Sequence, residues 1–171
     1  MQTLAQQPLN AFLEADAARD DDELNRIYGL LTVALARKPA SLAALTKTQR
    51  AWLVFRDAEV KAAGVVFGEG TGRRQVEAGM LGRLVRERNT WLLLALSGRA
   101  ALSAGKERAA ADLFLNEVWG KRTEVETQAQ RAWLAWRNAE ASFWNLYAGA
   151  SAKEAVLARL TWERCRALSG G

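Results

Sequence analysis

The chain has 171 residues with 24 Lys+Arg against 19 Asp+Glu, no histidine and a single cysteine, Cys165. The missing histidine removes Ser-His-Asp and Cys-His triads and His-ligated zinc. A lone cysteine allows neither an internal disulfide nor a thiolate cluster, so neither enzyme chemistry nor a cofactor or metal site is expected. The net charge of +5 is spread along the chain among Glu and Asp, with no basic run. It reads as a mixed-charge surface rather than a nucleic-acid footprint. The longest apolar run, Trp91–Leu96, is too short to span a bilayer.

Helical periodicity dominates, and only two prolines, Pro8 and Pro39, interrupt it. The acidic run Asp20-Asp21-Asp22 predicts a helix start, where the dipole favours acid. Leu24, Ile27, Tyr28, Leu31 and Leu35 follow at helical spacing up to Lys38-Pro39. Ser41 is the expected N-cap of a second helix, carrying Leu42, Leu45, Gln49, Trp52, Phe55, Arg56 and Val60 as far as the glycines of 68–72. A third helix is expected over Gln75–Leu96, with Val76, Met80, Leu84, Trp91 and Leu92 inward.

Beyond Gly105 the sequence repeats itself. Asp21–Tyr28 returns as Asp112–Trp119, and Gln49–Glu59 (QRAWLVFRDAE) as Gln130–Glu140 (QRAWLAWRNAE). Leu81–Arg88 (LGRLVRER) returns as Leu157–Arg164 (LARLTWER), in the same order. The expected fold is therefore all-α: about six main helices from two related antiparallel hairpin units, 1–104 and a shortened 105–171, packed as one body.

The spacings suggest a charge register. Arg56 lies 15 residues before Thr71 and Glu87 16 after it; Arg137 and Glu163 lie 13 either side of Ala150. Arg56 is thus expected to pair with Glu87 and Arg137 with Glu163, each under a tryptophan, Trp52 or Trp133. With Glu59 and Glu140 these residues form a structural motif. Trp52, Trp119 and Trp133 are expected in the core, and Cys165 as an inert small residue.

The blocks Asp21–Tyr28, Gln49–Glu59 and Leu81–Arg88 resemble the LprI-like lysozyme-inhibitor family, small helical bacterial proteins that are mostly exported. The resemblance implies a periplasmic or secreted helical domain. The opening Met1–Gln7 has neither the basic nor the apolar region of a signal peptide, leaving a cytoplasmic location as the alternative. The family usually carries one cysteine after the Arg-Asp-Ala-Glu block and another before the Leu-x-x-Leu block. Here Val60 and Met80 stand there, and Ala141 and Val156 in the second copy.

The resemblance implies a protein partner: a lysozyme or another cell-wall hydrolase to be neutralised. Two other readings are an immunity protein against a cognate secreted toxin and a structural adaptor bundle. The partner is expected at the turn between Gly68 and Arg74, through Glu69, Thr71, Arg73 and Arg74, where two guanidinium groups are able to engage the carboxylates of a muramidase cleft.

Overall fold

A computed structural model describes residues 6–70, 72–98, 108–120 and 122–169. The described residues form six α-helices and no strand: α1 Gln6–Ala34, α2 Pro39–Phe67, α3 Gly72–Leu96, α4 Arg108–Trp119, α5 Glu124–Ala148 and α6 Ala150–Ser169. This is the all-α bundle expected from the sequence.

Helix ends follow local chemistry. Pro39 sits at the start of α2, where its missing N–H is no loss. Gly68, at φ +95°, turns the chain out of α2, and Gly149, at φ +90°, separates α5 from α6. Thr123 caps α5 in a capping box. Its hydroxyl accepts from the Glu126 N–H at 3.3 Å, and the Glu126 carboxylate accepts from the Thr123 N–H at 2.8 Å.

Two expected boundaries are corrected. α1 begins at Gln6 and runs through the acidic triplet. Two of those charges are met by side chains rather than by a helix terminus: Arg86 of α3 reaches Asp20 at 2.7 Å, and Asn25 reaches Asp21 one turn on. Ser41 is not an N-cap; Pro39 starts α2 two residues earlier, and Ser41 lies buried inside it.

The most extensive packing is between α2 and α5. α3 packs on α2 and α6 on α5, while α1 covers α3 and α4 covers α6. Leu24, Ile27 and Leu31 of α1 and Leu35 just beyond its end are buried, as are Leu84, Trp91 and Leu92 of α3. Val76, Met80 and Val60 are only half-buried. At the centre Phe55 of α2 stacks on Trp136 of α5, and Trp52, Trp133, Trp136 and Trp144 are all buried. Trp119 departs from expectation. It is half-buried at the end of α4, with the Arg122 guanidinium over its ring.

Candidate functional site

The interior charge pairs are not the expected ones. Arg56 bonds its exposed neighbour Asp57 and lies over the Trp52 ring, while Glu87 pairs with Arg83 one turn back on α3. Arg137 lies over Trp133 and donates to Asp112 of α4 at 3.0 Å and to Thr161 at 3.1 Å; Glu163 pairs with Arg159. Equal distance from a turn sets a residue's height along a helix, not its azimuth. On α3 the inward azimuth belongs to Leu84, Arg88 and Trp91, at i, i+4 and i+7, and Glu87 is turned away from it.

The arginines that point inward are Arg88 and Arg164, and both reach across the bundle. Arg88 Nη1 donates to Glu140 Oε2 of α5 at 2.7 Å, both side chains being essentially inaccessible. Arg164 Nη1 donates to Glu59 Oε1 of α2 at 2.6 Å. Each also holds a glutamine on the adjacent helix at 2.9 Å: Arg88 Nε on Gln49, Arg164 Nε on Gln130. Arg88 and Arg164 occupy the same place in their sequence blocks, as do Glu59 and Glu140, and Gln49 and Gln130. The contacts are reciprocal. Each arginine takes its glutamine from its own half and its glutamate from the other.

Glu140 is the more heavily bonded carboxylate. It accepts from Arg88, Trp136 Nε1 and Thr48 on Oε2 and from Trp144 Nε1 on Oε1. A carboxylate buried without such partners costs several kcal/mol, about the desolvation penalty of an ion. Glu59 and Glu140 closed the matching sequence blocks; what was missed is that their partners come from the opposite half.

Between α2, α3, α5 and α6 lies a half-open cleft of about 450 Å³. Its lining comes in corresponding pairs: Trp52 and Trp133, Phe55 and Trp136, Arg88 and Arg164. The pairing is broken at Glu59, which lines the cleft without Glu140, and the residue types differ where Thr90 and Trp91 correspond to Arg166 and Ala167. The cleft carries charge as well as indole. Glu87 and Glu163 are held by Arg83 and Arg159 on its rim, and Arg159 also covers Trp91, 4.8 Å from the ring.

The expected partner site lies at the other prominent feature, the tip joining α2 to α3. Glu69 and Arg74 are exposed there, and Thr71 lies outside the described residues. Arg73 is not a free cation. It bonds Glu77 Oε1 at 2.9 Å, and that hydrogen bond, with the charges of Glu77 and Glu69, raises its already high pKa. Arg74 has no ion pair among the described residues. Sequence reasoning missed the apolar half of the tip. Val65, Val66 and Phe67 are exposed, and the Phe67 ring lies so close over Gly72 that a Cβ there would come within 2.7 Å of it. The signal was present in Val65-Val66-Phe67 running up to Gly68.

Cys165 is buried, its thiol on the carbonyl of Ala111 at 3.7 Å and its pKa pushed up by that burial. Among the described residues no helix is long and apolar enough to cross a membrane.

The fold and these surfaces define a helical bundle with an exposed hairpin tip that carries both apolar and charged residues. The family model described as Lysozyme inhibitor LprI matches residues 1–92. An uncharacterized protein of Rhizobium meliloti is 31% identical over 100 residues, which span 52% of this chain and 72% of that protein. The chain belongs to the LprI family of lysozyme inhibitors, and no solved structure matches it.

Proposed function

We propose that the protein neutralises a lysozyme or a related peptidoglycan-cleaving enzyme by inserting the α2–α3 tip into its cleft, in the periplasm or outside the cell. Family membership supports an inhibitor acting on a protein. The observation that carries the site is the exposed apolar pair Val66 and Phe67 on the same tip as Arg74, which has no ion pair among the described residues. An apolar anchor together with a guanidinium suits a hot spot, and a muramidase cleft offers carboxylates for the guanidinium. Long-range steering between this basic chain and a basic lysozyme is repulsive, so the contact depends on the local match of Arg74 to an acidic cleft.

The same reading takes 1–104 and 105–171 as two copies of one unit, the reciprocal Arg88–Glu140 and Arg164–Glu59 pairs being its support. The second hairpin has only Gly149 between its helices, so the first copy supplies the protruding tip. The test is turnover of a cell-wall suspension by purified lysozyme with the protein added. Inhibition by the wild-type chain and its loss in Phe67→Ser/Arg74→Ala is the expected result. Unchanged inhibition by that variant overturns the tip; no inhibition by the wild type overturns lysozyme as the target.

A further inference from the structure

We propose that the cleft between α2, α3, α5 and α6 is a binding site for a small organic monocarboxylate with a flat apolar body, separate from the hairpin tip. Its volume, about 450 Å³, lies within the range of small-molecule pockets. The floor is aromatic, with Trp52, Phe55, Trp133 and Trp136 among its lining. The argument for a carboxylate rests on two unused cationic groups.

The first is Arg88 Nη2, a buried nitrogen of a residue in the cleft wall. The Arg88 side chain is fully buried; Nε and Nη1 are bonded, and Nη2 has no acceptor. A buried guanidinium N–H without a partner is costly, and such groups call for an acceptor. The second is Arg166, exposed at the rim, with no ion pair or hydrogen bond among the described residues. The cleft's own carboxylates are all engaged: Glu59 by Arg164, Glu87 by Arg83 and Glu163 by Arg159. With Glu140 offsetting Arg88 behind the wall, the five lining arginines exceed the carboxylates by one, so the cleft carries a single unbalanced positive charge. A monoanion matches it, and a planar carboxylate is the natural partner of a guanidinium edge.

The difference in residue type supports the same occupant. Arg166 and Ala167 stand where the first half has Thr90 and Trp91. One side therefore gains a cation and gives up the volume of an indole, which leaves space for a ring beside the charge.

The full-length protein is titrated with benzoate and with its neutral counterpart benzyl alcohol, with glucuronate and its neutral counterpart glucose, and with inorganic phosphate. Intrinsic tryptophan fluorescence and calorimetry are the readouts. Benzoate is the carboxylate expected to bind, more than about tenfold tighter than benzyl alcohol and than phosphate, and binding of glucuronate alone overturns the flat apolar body. Arg166→Gln, at a residue that holds nothing in the fold, is expected to weaken binding at least about fivefold. Arg88→Lys keeps a charge for Glu140 but removes Nη2, and is expected to weaken it by about tenfold or more. The proposal is overturned if neither carboxylate binds at about 10 mM, if neutral counterpart or phosphate binds as well, or if Arg166→Gln binds like wild type.

Discussion

Phe55 lies flat against Trp136, ring centroids 5.2 Å apart and planes 5° from parallel, and the two hold the same position in the matching QRAW blocks of α2 and α5. The stack lies between the two most extensively packed helices, with the Arg88–Glu140 and Arg164–Glu59 pairs reaching between the same halves. Truncation at this point removes contacts from both halves at once. Phe55→Ala is expected to cost about 3–5 kcal/mol, the range for buried aromatics, read as a fall in the urea midpoint with the two-state slope unchanged.

Loss of the Glu140 carboxylate leaves the buried Arg88 guanidinium without its anion. Glu140→Ala is therefore expected to destabilise by about 3–5 kcal/mol. Arg56→Ala is its contrast, because Arg56 pairs only with the exposed Asp57 and covers one face of Trp52. Its cost is expected to stay near 1 kcal/mol, that of a cation–π contact. Thermal melts of the two variants side by side check both values; equal losses would put the essential arginine on the wrong helix.

The α5 capping box gives a small pH dependence. Burial alone would raise the Glu126 carboxyl, but the Thr123 N–H and hydroxyl and the Arg122 guanidinium outweigh it, and the pKa falls below the ordinary 4.5. A carboxyl lowered in the folded state stabilises above its unfolded pKa and loses that contribution as pH drops through the folded value. Thr123→Ala is expected to cost about 1 kcal/mol at neutral pH. Protonation of Glu126 weakens only the bond that the Thr123 hydroxyl donates to its carboxylate and leaves the one the hydroxyl accepts from the Glu126 N–H, so the gap from wild type narrows in part below the ordinary carboxylate range, as denaturant midpoints at several pH values will show.

Cys165 reports on the seating of α4 upon α6, because its thiol is buried against the Ala111 carbonyl. A disulfide reagent at neutral pH is expected to react far more slowly with the native chain than with the unfolded one, as both burial and the raised pKa require. Labelling as fast in the native protein as in urea would show α4 to be detached.

Gly64 of α2 faces the Glu77 side chain so closely that a Cβ would overlap its carboxylate. That carboxylate is the one that holds Arg73. Gly64→Ala is expected to swing Glu77 aside and free Arg73 at the tip, while Arg73→Ala alone removes a guanidinium already in use. In the lysozyme assay Arg74→Ala should therefore lose more inhibition than Arg73→Ala. The opposite order would show that Arg73 exchanges Glu77 for the partner.

Much of the fold is legible in the chain because helices announce themselves locally. Leu24, Ile27, Leu31 and Leu35 share one period and are all buried, and Gly68 and Gly149 mark the turns where the backbone needs a positive φ. The acidic triplet misled because Asp20 has a partner 66 residues away in Arg86, which no local rule registers. The charge motif was half legible. The repeats single out Glu59 and Glu140 but also advertise Arg56 and Arg137, three residues before them in the same blocks yet aimed elsewhere. Choosing among arginines requires the rotation of α3 and α6 about their axes, which depends on packing against the opposite half. The apolar side of the tip escaped for another reason: Val65, Val66 and Phe67 read as core until exposure is known.

The crossed pairs bear on what a shorter relative would face. Taken alone, the first half would carry Glu59 and Arg88 as unmatched opposite charges on the side it turns toward its counterpart. A surface that bears both members of a missing pair is self-complementary, the requirement for an isologous homodimer. Joined in one polypeptide, the two halves meet that requirement without a second molecule, and matching positions need not carry the same residue, as Trp91 and Ala167 do not.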